Sequence, residues 1–324
     1  MILIIAEEND QNINGVIDWI VYLGFDYCKI SSETKLILKH LSIDDSSIDF
    51  EIDYDNSFNH GTIRYSEIQS VWYRSGKLKL RVPEITEEHV KKIFIQYFNT
   101  EIKVLNDLIY RLLCRKRHIN TYLDNSKSKL HQQLIAKDHD ISIPSTHISS
   151  YKNVISNFVE SEERYVTKAI EFGHIGKFDK VDIGGFTESL EVSDLANLQS
   201  FGFPSLLQKQ VEKKYEIRSF YLDGEFYSSA IFSQNDAQTR VDFRNYNFEN
   251  MNRVVPYKIP DELEDKLSAM FKELDINSGS IDLIFTTSNE YVFLEINPIG
   301  QFQQVSQPCN YNLPKIIAEY LCKS

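Results

Sequence analysis

The sequence predicts an α/β protein built in α+β lobes, and three observations carry that reading. The chain opens strand–helix–strand, its middle holds one long amphipathic helix, and its last third alternates hairpins with single helices. A βαβ opening gives parallel pairing, whereas successive hairpins give antiparallel sheet.

Ile2–Ala6 is an uninterrupted apolar run, the pattern of a strand covered on both faces. Gly15–Leu23 reads as a helix and Tyr27–Ile30 as the second strand. Residues 36–70 alternate irregularly and predict short strands, including Leu36–Leu41 and Ile48–Tyr54. Ser70–Arg74 reads as another buried strand ending in a charge. Val90, Ile93, Phe94, Tyr97, Phe98, Ile102 and Leu105 keep a helical period, predicting one helix over 87–117. Arg115, Lys116 and Arg117 would then face its carboxyl-terminal dipole. Asn125-Ser126 suits the cap of a short helix through Lys137, broken at Ile143-Pro144. Glu163–Glu171 reads as a strand, followed by glycines 173, 176, 184 and 185 in a turn between strands. Leu206–Glu212 is a further strand. Tyr215–Leu222 and Glu225–Phe232 form a hairpin closed by Asp223-Gly224, a type I′ signal. Period two puts Glu216 and Arg218 on one face. Pro260 starts a helix carrying Leu267, Met270 and Phe271, and Pro314 starts a closing helix through Leu321. The expected segments are 1–119, 120–205 and 206–324.

Composition excludes several classes. The chain has 324 residues and a net charge of −12, which argues against a general nucleic-acid binder. Its four cysteines, Cys28, Cys114, Cys309 and Cys322, are far apart and form no C-x-x-C, so neither a disulfide framework nor a zinc knuckle is expected. The amino terminus lacks a basic n-region, and no stretch approaches the roughly 20 apolar residues of a membrane span. A cytoplasmic protein without membrane or nucleic-acid partners is expected.

The segment with most chemistry is Ser280–Phe302. Ile281–Thr286 and Tyr291–Asn297 are rich in β-branched and aromatic residues, with polar Thr287–Glu290 between them. A two- or four-residue loop centred there places Asp282 opposite Glu295, with Cβ atoms about 4.5–5.5 Å apart. Asn297 shares their face. Two such carboxylates repel by roughly 3 kcal/mol at an effective dielectric of about 20. A divalent cation reverses that sign, and Mg²⁺ takes hard oxygen ligands of this kind together with phosphate oxygens. The alternative is a solvated hairpin whose polar face meets water.

Five features occur in a fixed order. They are Lys129 in N-S-K-S-K-L, Lys168 in Y-V-T-K-A-I, L-L-Q-K-Q-V-E followed by Y-E-I-R-S-F, R-V-D-F-R-N-Y at 240–246, and Asp282 with Glu295-Ile296-Asn297. This order resembles the ATP-grasp superfamily of carboxylate ligases over about residues 120–324, with the βαβ opening suiting that family's leading domain. No Walker A motif is present, and the family uses none. The match is closest to the microviridin-type macrocyclases, or graspetide ligases. The ending Q-P-C-N-Y-N-L-P-K-I-I-A is similar to the grasp-with-spasm subgroup.

The resemblance implies roles. Lys129 and Lys168 would hold ATP phosphates, with Lys127 an alternative to Lys129. Gln208, Lys209, Gln210 and Val211 would offer backbone groups to adenine, although the family often has Glu where this chain has Lys209. Glu216 would accept from the ribose hydroxyls. Arg218 and Arg240 would act on charge at the reacting centre, with Gly300 leaving backbone room beside the reacting carboxylate. Asp242 and Arg244 would border the substrate. Asp282, Glu295 and Asn297 would bind one or two Mg²⁺. The implied partners are a ribosomal precursor peptide with a leader and a second copy of the chain in a homodimer. The implied reaction joins Asp or Glu side chains of that peptide to Thr, Ser or Lys, as ester or amide. Two other readings stay open: an ATP-grasp ligase acting on free amino acids or protein termini, and a nucleotide-binding regulator without catalysis.

Overall fold

The computed structural model describes every residue except 57–58, 123–127, 172–173, 179–180, 185–186, 237–238, 243–246, 248, 250 and 324; at 88, 174–178 and 181–184 it describes backbone only. It divides into two compact units, residues 1–126 with 312–324, and residues 127–311.

The first unit follows from its opening pattern. β1 (Ile2–Ile5) is buried throughout, α1 (Asn14–Tyr22) buries Val16 and Ile20, and β2 (Tyr27–Ile30) pairs with β1 in parallel. β3 (Lys35–Ile43), β4 (Ile48–Asp55) and β5 (His60–Arg64) make a separate antiparallel sheet. β6 (Ser70–Tyr73) joins β1, again in parallel. The long helix α2 spans Glu88–Leu113 and does not reach 117. Arg117–Ile119 is instead strand β7, a fourth parallel strand on β6. Pairing with Ser70–Trp72 gives these residues backbone partners that a fraying helix end would leave to water. None of the seven residues of the expected apolar stripe is buried, and Ile93, Phe94 and Tyr97 are exposed; burial on α2 comes near its end, at Ile109, Tyr110, Leu112 and Leu113.

The second unit begins with α3 (Lys129–Asp138), β8 (Thr146–Tyr151) and α4 (Lys152–Val159). β9 (Tyr165–Lys168) is shorter than the strand expected over 163–171. β10 (His174–Phe178) and β11 (Val181–Gly184) form an antiparallel ribbon, and β12 (Glu188–Ser189) returns to β9. β13 runs Phe201–Lys209, between β8 and β9. It stops where those partners stop, so 210–212 is connection rather than strand.

β14 (Lys213–Leu222) and β15 (Glu225–Phe232) form the expected hairpin, with Asp223 and Gly224 at φ +47° and +100° as a type I′ turn requires. β16 (Arg253–Tyr257), α5 (Asp261–Glu273), β17 (Ser278–Thr286), β18 (Tyr291–Asn297) and α6 (Gln303–Cys309) complete the unit. The sheet order is β16-β15-β14-β17-β18, all antiparallel. Leu267, Met270 and Phe271 of α5 pack on Ile217, Leu283 and Phe293 of that sheet and form its core.

The closing helix α7 (Leu313–Cys322) has Pro314 in its first turn, as expected, and lies in the first unit against α1, β6 and β7. In the sequence reading it closed the 206–324 segment. Ser70 Oγ donates to the Leu321 carbonyl at 2.7 Å. All four cysteines are free thiols. Among the described residues, no helix is long and apolar enough to cross a membrane.

Candidate active site

The β17–β18 hairpin brings Asp282 opposite Glu295, but not by the expected turn. Thr286 N–H donates to the Glu290 carbonyl and Glu290 N–H to Thr286 Oγ1, each at 2.9 Å, and Asn289 is left-handed at φ +67°. The loop is therefore odd, residues 287–289, and the register at its base is Phe285↔Tyr291. Continued unbroken, that register would set Asp282 against Leu294 and turn Glu295 to the other face. A bulge intervenes between Asp282 and Leu283, with Leu294 as the extra residue. The pairs beyond it are Asp282↔Glu295, Ile281↔Ile296 and Ser280↔Asn297.

Each carboxylate has a cation of its own. Arg218, paired with Asp282 across β14 and β17, places Nη1 2.9 Å from Oδ1 and 3.2 Å from Oδ2. Lys129, in the first turn of α3, places Nζ 3.0 Å from Glu295 Oε2. Asn297 Nδ2 donates to Glu295 Oε1 at 3.1 Å and reaches Asp282 Oδ2 at 3.4 Å. Burial pushes the Glu295 pKa up, but the charges of Lys129 and Lys168 and the Asn297 amide outweigh it, and the carboxyl is held below its ordinary range. The repulsion expected between the two acids is thus offset within the chain.

The donor set suits Mg²⁺: two hard carboxylates and an amide that offers its oxygen after a half-turn. Among the described residues no group of three or more His, Cys, Asp or Glu is placed to hold a metal ion, so a cation here would need further oxygens, as from phosphate.

The acids form one wall of a cavity of about 340 Å³, within the range typical of small-molecule sites. Lys168, at the end of β9, also lines it, and the 208–211 segment, the end of β13 and the start of the connection, forms another wall. In that segment Gln208 is buried and its side chain donates to Thr146 Oγ1 at 2.9 Å, so it braces the wall. Lys209 turns its ammonium to Glu163, and its N–H donates to the Ser145 carbonyl at 2.9 Å. Gln210 N–H donates to the Arg164 carbonyl at 2.8 Å. Among the described residues Val211 N–H has no partner, leaving a main-chain donor for a ligand.

Glu216 also lines the cavity, with both carboxylate oxygens engaged, one by Lys213 and one by the Ser233 hydroxyl. Burial dominates here and raises its pKa above the ordinary range, despite Lys213 and Ser233. A ribose would have to displace one of these partners. Lys213 Nζ further donates to the Val241 carbonyl at 3.0 Å, tying β14 to the 233–242 loop. Arg240 on that loop is exposed at the cavity, while Asp242 is buried and accepts Thr187 N–H at 3.0 Å. Asp242 thus anchors the chain just after the glycine-rich turn. Arg244 and the alternative phosphate residue Lys127 lie outside the described residues.

Gly300 has a packing reason to be glycine. A Cβ there would lie 2.1 Å from Ser280 Oγ and 2.6 Å from Ser280 N. Sequence reading missed Lys213, Ser233 and Thr187. Lys213 had a signal, a lysine three residues before Glu216; the other two meet their partners only through the fold.

No family model matches the chain, and no curated protein matches it. Solved structures do match. Macrocyclase MdnC of Microcystis aeruginosa MRC, bound with precursor peptide MdnA, is 23% identical at a TM-score of 0.76, covering 99% of each chain. A Chryseobacterium gregarium RiPP-associated ATP-grasp ligase, in complex with ADP and a leader and core peptide, is 21% identical at a TM-score of 0.77, covering 99% of this chain and 96% of that one. The chain has the ATP-grasp fold. ATP-grasp ligase PsnB, with minimal precursor, Mg and ADP, is 15% identical at a TM-score of 0.67, covering 99% of this chain and 96% of that one. In the ATP-grasp fold of this chain, every described cavity residue above belongs to the second unit.

Proposed function

We propose that this chain is an ATP-dependent ligase that macrocyclises a ribosomal precursor peptide. The observation that carries the reading is the cavity in which Lys168, Asp282 and Glu295 converge beside the 208–211 segment, with Arg218 holding Asp282 from behind. Its structural neighbours, solved with precursor peptides, ADP or Mg, support the same reading.

In this reading a peptide Asp or Glu carboxylate attacks the γ-phosphorus of ATP, giving an acyl phosphate and ADP. A Thr or Ser hydroxyl, or a Lys amine, of the same peptide then attacks the acyl carbon. Phosphate leaves, the nucleophile loses its proton, and an ester or amide closes the ring. Asp282, Glu295 and Asn297 would hold one or two Mg²⁺, which when bound neutralise phosphate charge. Lys168 and Lys129 add positive charge beside the acids. Arg218 holds Asp282 in place and keeps a planar donor set at the centre where charge develops. The 208–211 segment offers the Val211 amide to adenine. Arg240, exposed at the cavity, would meet the substrate carboxylate, and Asp242 steadies that side through Thr187. As in other phosphoryl transfers, the protein's part is positioning and charge neutralisation.

The test supplies ATP, Mg²⁺ and any small carboxyl- and hydroxyl-rich peptide found in a neighbouring reading frame. ADP release that depends on the peptide, with loss of water from its mass per ring, is expected. ADP release with a free amino acid and no peptide would favour the small-substrate ligase, and no turnover with either would favour the regulator. The proposal includes a homodimer in the cytoplasm; light scattering should read twice the mass of one chain.

A further inference from the structure

β18 is an edge strand, the last in the order β16-β15-β14-β17-β18. The outer backbone groups of an edge strand need partners or water. In this chain they are met by two segments from the start of the second unit. Phe293 N–H donates to the Ser142 carbonyl at 2.8 Å. Ile296 is met by a side chain: its N–H donates to Gln132 Oε1 at 2.7 Å, and its carbonyl accepts from Gln132 Nε2 at 2.9 Å.

Gln132 is buried and sits on α3 one turn after Lys129. Its amide acts as a one-residue strand, offering donor and acceptor together in the pattern of a sheet ladder. The residue it grips lies between Glu295 and Asn297. It also lies just beyond the Leu294 bulge, where the ladder is interrupted and the backbone has most freedom to shift. One turn of α3 therefore fixes this strand twice: Lys129 holds the Glu295 carboxylate and Gln132 holds the backbone beyond it.

We propose that Gln132 is a positioning residue, setting where Glu295 and Asn297 present their oxygens to a divalent cation. This rests on the reading of those residues as cation ligands. Groups that orient metal ligands typically change metal affinity by about 10–100-fold when removed. A mere edge cap would affect stability and leave cation affinity alone.

The experiment measures Mn²⁺ affinity by electron paramagnetic resonance in the presence of ADP, with ADP affinity in EDTA and the melting temperature of the metal-free protein alongside. Gln132→Met removes both hydrogen bonds at similar volume. Gln132→Glu keeps the acceptor for Ile296 N–H and remains informative if the Met variant does not fold. The expected result is Mn²⁺ affinity lowered about tenfold or more in Gln132→Met, and less in Gln132→Glu, with ADP affinity in EDTA changed less than about twofold. Wild-type Mn²⁺ affinity in either folded variant, with only the melting temperature lowered, would overturn the positioning role. A wild-type protein that binds no Mn²⁺ with ADP would overturn the cation reading itself, and this inference with it.

Discussion

Two buried arginine–carboxylate pairs of almost the same length lie in different units. Arg74 Nε meets Asp10 Oδ2 at 2.8 Å, and Arg218 Nη1 meets Asp282 Oδ1 at 2.9 Å; all four side chains are largely buried. Their surroundings differ. Asp10 also accepts the N–H of Asn12 and caps a short helical turn, so its chemistry is local. Asp282 faces a second carboxylate, with a lysine behind that and an amide between them, and lines a cavity. An ion pair by itself therefore does not mark a site. What marks one is an uneconomical neighbour: a second buried acid that the fold holds in place through a bulge, two cations and a gripped edge strand.

That comparison can be broken. The largest effect is expected from Glu295→Gln, which keeps the shape but removes a charge that Lys129 and Asn297 are arranged around. ADP formation should fall about a thousandfold or more, with circular dichroism unchanged. Turnover close to wild type would return the hairpin to a structural role.

The two arginines should then part ways. Arg74→Ala leaves Asp10 without its cation and should cost stability by about 3 kcal/mol in urea unfolding, with turnover per folded molecule unchanged. Arg218→Lys keeps the charge but loses the planar fork, and should lower turnover by about a hundredfold with a smaller loss of stability. Equal behaviour of the two variants would dissolve the distinction.

Gly300→Ala probes packing behind the acids. Its Cβ would meet the Ser280 backbone as well as its hydroxyl, so the strand must shift, at about 1–3 kcal/mol. Ser280→Gly should relieve only part of this, since the clash with Ser280 N remains at 2.6 Å. Full rescue in the double variant would show that the hydroxyl alone sets the limit.

The smallest effect is in pH. Burial pushes the Asp10 pKa up, but the Arg74 charge and the Asn12 and Arg74 donors outweigh it, leaving it below 3.8. A folded value below the unfolded one means the pair stabilises fully above pH 3.8, and that contribution is lost as pH falls through the folded value. Acid unfolding curves of wild type and Arg74→Ala should draw together below that pH; parallel curves would count against the pair.

Much of this was legible in the chain because its signals are local. β1 is a run of apolar residues, the β14–β15 turn is Asp-Gly, and the acids sit at period-two positions of two strong strands. What was not legible depends on distant partners. The sequence did not reveal the β7 strand, since three residues after a helix acquire their role only from β6. Nor did it show the odd loop and the bulge, whose shifts cancel and leave the acid pair where an even loop would have put it. The sequence predicts Glu216 as an acceptor for ribose but not its Ser233 partner, 17 residues on, and Gln132 carries no local signal because its partner lies 164 residues away. Periodicity fixes which face a side chain uses; it does not say what else has arrived there.

The central claim is that the hairpin acids hold nucleotide through a cation. Calorimetric titration of a non-hydrolysable ATP analogue, with Mg²⁺ and with EDTA, into wild type and Glu295→Gln tests it most directly. Mg²⁺-dependent tightening of about tenfold or more is expected in wild type, and Glu295→Gln should largely abolish it. Equal affinity with Mg²⁺ and EDTA in wild type, or undiminished Mg²⁺ dependence in the variant, would contradict it.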